Sequence, residues 1–381
     1  MKVNFVELGK QYANIKSDVL KDIDTAISTG AFIGSQKFEE QFAKYHNKKY
    51  CVGVGSGTDA LWLSLLALGI GAGDEVIVPA NTYIATAFAV SHTGATPVFV
   101  DPNPETYVMD TSNLINAMTD KTRAIIPVHL YGQPVNMEEI MAFAKQHSLS
   151  VVEDCAQSAG ASFLDKKTGA WGDVGCFSFY PTKNLGGIGQ GGAVITDNEW
   201  LADIVRELGN VGRAKTSWFN YIYKGFNSRL DSINAMFLSR CLTMLDKWND
   251  ARVNSAAEYK ENLAGVDIIT PPMPTATTSP VFHLYEVKCK DLETRDSLKA
   301  YLTTQEIGTG LHYPVPCHMQ PVYYPVPCHM RPLYFDSSYR YPISENISDT
   351  LLSLPMHPML TYREIKYVCE KIKEFFNKQT T

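Results

Sequence analysis

The stretch Gly175-Cys-Phe-Ser-Phe-Tyr-Pro-Thr-Lys183-Asn-Leu-Gly-Gly-Ile-Gly-Gln-Gly-Gly-Ala-Val-Ile195-Thr sets one lysine and five glycines between two short apolar runs, Cys176 to Phe179 and Ala193 to Thr196. Short apolar runs bounded by glycine and proline read as buried strands. A lysine on the loop between them has two readings. It is a solvated side chain on a hairpin tip, or an amine held out of water. Desolvation lowers an ammonium pKa, and that is the condition for a lysine that attacks a carbonyl carbon.

Upstream of that loop the chain alternates. Apolar runs at Tyr50 to Val54, Glu75 to Val78, Pro97 to Val100, Ala124 to Val128 and Leu149 to Val152 are separated by helical patterns. These helices are expected at Asp59 to Leu68, Ile84 to His92, Ser112 to Met118 and Met137 to His147. Such alternation predicts an α/β fold with a parallel sheet covered by helices on both faces. Ligands in these sheets gather at the carboxyl ends of the strands. Before the first strand, Tyr12 to Ser28 reads as an amphipathic helix burying Ile15, Val19, Ile23, Ala26 and Ile27, and a short helix follows at Phe38 to Tyr45. After the glycine loop, Leu230 to Leu263 has the pattern of one long helix. The turn-rich run Pro271 to Pro280 then joins a smaller α+β part, with a strand near Phe282 to Cys289 and helices near Thr294 to Gln305 and Tyr362 to Phe376.

The chain has 381 residues, which favours two lobes over one, and its 45% hydrophobic content is enough for a sizeable core. A net charge of -6 argues against nucleic acid as a partner. No apolar run has the length of a membrane span, and the first residues turn polar too early for a secretion leader. Eight scattered cysteines without a disulfide framework read as the reduced thiols of a cytoplasmic protein.

Three clusters fall where strand ends converge. Gly53-Val-Gly-Ser56-Gly57-Thr58-Asp-Ala-Leu61 is a glycine turn feeding a helix. Its free N–H groups suit a phosphate, helped by the Ser56 and Thr58 hydroxyls, although any tight strand-to-helix turn also favours glycine. It lacks the G-x-G-x-x-G spacing of a dinucleotide site. Val151-Val-Glu-Asp154-Cys-Ala-Gln157 delivers a carboxylate to the carboxyl edge, where burial demands a cationic partner. A protonated pyridine nitrogen, a magnesium ion or a helix cap would each serve. Asn81-Thr-Tyr83 offers an aromatic face for stacking, or simply a core tyrosine. One ligand answers all of these together with Lys183: an aromatic cationic ring with a phosphate and an aldehyde, which is pyridoxal 5′-phosphate (PLP).

The same residues carry a family resemblance. Gly55-Ser-Gly-Thr-Asp-Ala-Leu61, Val152-Glu-Asp154-Cys-Ala-Gln157, Ser178-Phe-Tyr-Pro-Thr-Lys183-Asn and Gly225-Phe-Asn227-Ser-Arg229-Leu-Asp resemble the DegT/DnrJ/EryC1/StrS sugar aminotransferases. His312-Tyr-Pro-Val-Pro and Leu354-Pro-Met-His-Pro358 extend the likeness over the whole chain. The resemblance implies a fold-type I PLP-dependent enzyme. Its large PLP-binding domain (residues 1–264) would hold a mostly parallel seven-stranded sheet, with a smaller C-terminal α+β domain at 265–381. It implies Lys183 as the Schiff-base lysine, Asp154 as the partner of the ring nitrogen and Gln157 as the contact to the ring oxygen. Ser56, Gly57, Thr58 and Ser178 would hold the phosphate, and Tyr83 would stack on the ring. Asn227 would reach the same phosphate from the other subunit of a homodimer. The substrates implied are L-glutamate and a nucleotide-linked, dTDP-type 3-keto-6-deoxyhexose, facing Tyr180, Arg229, His312 and Tyr313. An aminotransferase acting at C-4 of a 4-keto sugar, an NAD-dependent sugar reductase and a regulatory PLP-fold protein are the rival readings.

One feature departs from the family pattern. Pro314-Val-Pro-Cys-His318-Met-Gln-Pro-Val-Tyr-Tyr324 is followed at once by its near copy Pro325-Val-Pro-Cys-His329-Met-Arg-Pro-Leu-Tyr-Phe335. The adjacent Cys-His pairs do not have the spacing of a zinc site, and no metal is expected. The repeat is expected to form a surface excursion at the mouth of the site. His318 and His329 would then be alternative contacts to the sugar or its phosphates.

Overall fold

A computed structural model describes residues 1–32, 34–323 and 340–379. Its centre is a sheet of seven strands: β1 (Tyr50–Val54), β2 (Glu75–Pro79), β3 (Thr96–Val100), β4 (Thr122–Ile125), β5 (Ser150–Asp154), β6 (Val174–Ser178) and β7 (Gly192–Thr196). Across the sheet they lie in the order β1-β7-β6-β5-β4-β2-β3. β7 runs antiparallel to both neighbours, with Tyr50 opposite Thr196 and Gly175 opposite Ile195; every other neighbouring pair is parallel. The reversal follows from the connection. The chain between Ser178 and Gly192 holds no helix to carry a crossover, so β7 returns beside β6 as a hairpin partner.

Alternate side chains of a strand face opposite sides of the sheet. Val52, Val54, Cys176 and Val194 enter a core shared with the helices Gly57–Ala67, Ala85–His92 and Glu199–Gly209. Cys51, Phe177, Ala193 and Ile195 face the other way, against Val19, Phe38, Phe42, Phe237 and Leu238 of the helices Lys16–Thr29, Gln36–Tyr45 and Ser232–Leu242. The helix Gly57–Ala67 has no apolar stripe because it is enclosed: Leu61, Leu63 and Leu65 are all buried.

Several expectations are corrected. The N-terminal helix is in pieces, Leu8–Tyr12, a 3-10 turn Ala13–Ile15 and Lys16–Thr29, and Ile27 lies on its exposed side. The single helix expected over 230–263 is two, Ser232–Leu242 and Leu245–Asn262. At the break the Thr243 hydroxyl donates to the Arg240 carbonyl at 2.8 Å, the kind of local bond by which threonine competes with helix. The helix Glu199–Gly209 was not anticipated, although Asn198 caps it by accepting from the N–H groups of Trp200 and Leu201.

In the C-terminal part, β8 (Tyr285–Lys288) pairs antiparallel with β9 (Leu351–Leu354), which follows directly on the helix Pro342–Thr350. Tyr285, Val287, Leu352 and Leu354 pack with Leu298, Leu302, Ile365, Val368 and Ile372 of the helices Leu292–Thr304 and Tyr362–Gln379. The same core takes in Val3, and also Ala256 and Tyr259 from the far end of the helix Leu245–Asn262. Among the described residues no helix is long and apolar enough to cross a membrane.

The first copy of the repeat is not a surface excursion. Cys317–Met319 forms a 3-10 turn in which Cys317 and His318 are buried. The Cys317 N–H donates to the Ala80 carbonyl at 2.9 Å, just past β2, and Tyr323 Oη lies 2.8 Å from Ser91 Oγ. The whole second copy, with Cys328 and His329, lies outside the described residues.

Candidate active site

The carboxyl ends of β1, β2, β5 and β6 open into a cavity of about 470 Å³. Lys183 sits on its wall, on the β6–β7 loop. That loop is held tightly. The Gly187 N–H donates to the Phe179 carbonyl and the Phe179 N–H to the Gly191 carbonyl, each at 2.8 Å. Asn234 accepts from the Ile188 N–H at 2.9 Å and donates to the Gln190 carbonyl at 2.7 Å. Tyr12 Oη reaches the carbonyls of Pro181 and Gly186 at 3.3 Å. Gly186 is required by close approach, since a Cβ there would stand 2.2 Å from the Pro181 oxygen.

Burial pushes the Lys183 ammonium down to about 8, against the pull of Asp154 in the same cavity. Among the described residues its Nζ takes no hydrogen bond, so the amine is available to a ligand. Asp154 closes β5 and is buried. Its Oδ2 accepts from Thr86 Oγ1 at 2.8 Å and its Oδ1 from the Ala156 N–H at 3.1 Å. Burial raises its pKa, and these two donors oppose the rise. A carboxylate in that position calls for a cation.

Ser56, Gly57, Thr58 and Ser178 meet at one end of the cavity. Ser56 caps the helix Gly57–Ala67, its Oγ accepting from the Asp59 N–H at 3.1 Å, which leaves its hydroxyl proton free to donate. A Cβ on Gly57 would lie 2.6 Å from Ser178 Cβ, so only glycine lets β6 come this close to the helix start. The resulting cradle of hydroxyls and helix N–H groups suits a phosphate. Tyr83 and Tyr180 are exposed rings at the cavity wall, and Tyr83 lies against Tyr313 with ring centres 5.5 Å apart. Gln157 is held by its neighbours, accepting from the Tyr131 N–H and donating to Tyr313 Oη at 3.0 Å. His312 and Tyr313 complete the opposite wall. An amine, a buried carboxylate and a phosphate cradle around one space fit PLP.

Other sequence candidates lie elsewhere. Asn227 and Arg229 are exposed and bonded to each other at 2.7 Å, outside the cavity of their own chain. Between them, Ser228 faces inward, donating to Asp59 Oδ2 at 2.8 Å and accepting from the Gly55 N–H at 2.9 Å. His318 is buried away from the cavity, its Nε2 3.4 Å from Glu345 Oε1, so it is not a sugar contact in this arrangement. His329 lies outside the described residues.

Three cavity residues were not singled out in the sequence. Thr86 is the donor to Asp154. Gln190 lines the wall from the glycine loop. His283 lines it with Nδ1 3.1 Å from Asn184 Oδ1, and burial keeps its imidazole neutral, helped by the charge of Lys183. The buried group His129, Glu153 and Cys155 could be taken for metal ligands. Glu153 is already occupied, accepting from the N–H groups of Gly169, Trp171 and Gly172 at 2.7–2.8 Å and from His129 at 3.1 Å.

The model of the DegT/DnrJ/EryC1/StrS aminotransferase family matches residues 14–373. A "pleiotropic regulatory protein" of Geobacillus stearothermophilus is 39% identical over 99% of each chain. The dTDP-3-amino-3,6-dideoxy-alpha-D-galactopyranose transaminase of Aneurinibacillus thermoaerophilus is 39% identical, over 98% of this chain and 99% of that one. Among solved structures, DesV of S. venezuelae superposes with a TM-score of 0.91 at 40% identity, covering 98% of both chains.

Proposed function

The chain belongs to the DegT/DnrJ/EryC1/StrS aminotransferase family, and from that premise we propose that it transfers the amino group of L-glutamate to a dTDP-linked 3-keto-6-deoxyhexose, giving a 3-amino-3,6-dideoxyhexose. The coarser activity is that of the family: PLP-dependent amination of nucleotide sugars. The observation that carries the finer reading is the juxtaposition of Lys183 and Asp154 with His312 and Tyr313 across one cavity. A relative of near-equal length that makes a dTDP-3-amino-3,6-dideoxy sugar supports the choice of acceptor.

PLP supplies an electron-accepting ring that stabilises charge at the carbon losing its proton. The chain's own residues do the rest. Asp154, ionised and held by Thr86 and Ala156, keeps the ring nitrogen protonated. Lys183, with a pKa near 8, exchanges protons at neutral pH and serves as acid and base at its Nζ. Ser56, Gly57, Thr58 and Ser178 anchor the phosphate, Tyr83 and Gln157 bound the ring, and Tyr180, His312 and Tyr313 orient the sugar.

Asn227 and Arg229 act in the site of a second copy. Their outward position supports this, as does the exposed apolar run beside them, with Trp218 at 73% and Phe219 at 91% exposure. Apolar side chains so exposed mark an interaction surface. A panel of dTDP- and UDP-linked 3-keto and 4-keto sugars, incubated with glutamate and read by NMR, tests the proposal. Amination only at C-4, or only of UDP sugars, would overturn the acceptor assigned here.

A further inference from the structure

A buried line of three polar side chains runs from the C-terminal strands to the cavity wall, and the chemistry above uses only its last member. Glu286 on β8 stands directly opposite Ser353 on β9. Ser353 Oγ lies 2.5 Å from Glu286 Oε1, and His312 Nδ1 lies 2.5 Å from the same Oγ. Glu286 and Ser353 are both buried, and Glu286 Oε2 has no hydrogen-bond partner among the described residues. The line is held from outside as well. Ser353 and Gly310 exchange backbone hydrogen bonds at 3.0 and 3.1 Å. Phe5 stacks on the imidazole with ring centres 5.8 Å apart, and a Cβ on Gly310 would lie 2.6 Å from His312 Cε1.

A serine hydroxyl has one proton, so the line has two directions. With Glu286 ionised, Ser353 donates to it and must accept from Nδ1–H; His312 Nε2 then carries a lone pair. With Glu286 protonated at Oε1, the acid donates to Ser353, Ser353 donates to Nδ1, and the ring proton resides on Nε2. His312 lines the cavity, and Ser353 occupies its Nδ1, which leaves Nε2 for a ligand. We propose that Glu286, acting through Ser353, is a positioning residue that selects the tautomer of His312, so that at neutral pH an Nε2–H donor faces the sugar's oxygen atoms. This rests on the reading of the cavity as a nucleotide-sugar site.

The surroundings support that direction. Among the described residues, the groups that interact with Glu286 are Ser353, His312 and the phenols of Tyr107, Tyr131 and Tyr313, and none of these is a standing cation. Burial pushes the carboxyl up to about 8, and the Ser353 hydrogen bond opposes the rise. His312 faces Lys183, with the neutral His283 nearby. Burial first, and then the charge of Lys183, holds its imidazole down to about 4. The ring is therefore neutral at working pH, and its tautomer is the property left to set.

The test uses the PLP-loaded enzyme labelled with 15N-histidine, with His312 identified by the signal missing from His312→Asn. Between pH 6 and 9.5 the wild type should move its ring proton from Nε2 to Nδ1, with a midpoint near 8. Glu286→Gln, whose amide donates to Ser353 as the neutral acid does, should keep Nε2 protonated throughout. With the sugar nucleotide, the wild-type KM should rise about fivefold from pH 7 to 9, the part of a roughly tenfold difference between tautomers (about one hydrogen bond) that a midpoint near 8 exposes over that range. In Glu286→Gln that rise should vanish, while the glutamate half-reaction keeps its own pH profile. A single unchanging tautomer in the wild type, or a switch that persists in Glu286→Gln, overturns the inference. The spectra need no sugar. A failed acceptor assay therefore refutes the proposed substrate without touching the tautomer, and the wild-type titration decides even if the variant does not fold.

Discussion

Thr86→Val removes one of the two donors that hold the Asp154 carboxylate while nearly preserving shape. The lost bond is a 2.8 Å hydrogen bond to a buried, ionisable group. Hydrogen bonds to charged groups contribute about 1.5–3 kcal/mol, and 1.36 kcal/mol corresponds to one pKa unit. Burial already raises Asp154, so the variant, with one donor fewer, should raise it further. The sign follows from which form binds. Ionised Asp154 attracts the protonated ring, so cofactor affinity is lost as pH falls through the Asp154 pKa. In Thr86→Val the loss should begin at a higher pH than in the wild type. Pyridoxamine 5′-phosphate has no aldehyde to bond Lys183, so its affinity reports this interaction directly. Fluorescence titrations from pH 5 to 9 would measure it, with Thr86→Ser expected to restore the wild-type curve. A second effect arises from Thr82, whose buried hydroxyl lies 3.0 Å from Thr86 Oγ1. Losing that partner should lower the free energy of unfolding by about 1–3 kcal/mol, read from urea denaturation. A folded Thr86→Val protein with the wild-type affinity at every pH would refute the account of Asp154.

Three further outcomes are expected. Covalent uptake of PLP by the apoenzyme should accelerate with pH and level off near 8, where Lys183 becomes a neutral amine, rather than near the ordinary lysine value of 10.5. Borohydride should then fix the cofactor on the peptide carrying Lys183, and trapping on another peptide would exclude that residue. Mixing Lys183→Ala chains with an inactive Asn227→Asp variant should restore part of the activity, because one hybrid site receives both intact residues; no recovery after proven subunit exchange would return Asn227 to its own chain. Deleting residues 314–324 should give a protein that folds and binds PLP, because the second copy brings the same Pro-Val-Pro-Cys-His-Met to the seat beside Ala80 and Ser91. Failure of that variant to fold would show that the copies are not interchangeable.

The strands and the candidate residues that gather at their ends were legible for a simple reason. Val52, Val54, Val151 and Val152 lie in apolar runs, and the residues that follow, Gly57 and Asp154, leave those runs abruptly. Lys183 was legible because glycines crowd around it. The supporting polar residues were not. Thr86 lies in Ala-Thr-Ala-Phe-Ala-Val, where a threonine reads as filler in an enclosed helix, and its role depends on a carboxylate 68 residues away. Glu286 and Ser353 acquire meaning only through their pairing across β8 and β9, which local sequence does not express. The first repeat copy misled in the other direction. Its prolines suggest solvent, yet the fold uses Cys317 and His318 as packing.

The antiparallel β7 also bears on how the chain is made. Tyr50 must wait for Thr196 before β1 has a neighbour, although β1 leaves the ribosome first of all seven strands. Until Gly192–Thr196 emerges and slots into the gap, β1 and β6 both present open edges, the kind of template that recruits other chains. The seat of Lys183 is the connection into that last strand. The cofactor therefore cannot meet its lysine in a finished pocket until the sheet has closed, so its binding comes too late to shield those edges from neighbouring polypeptides.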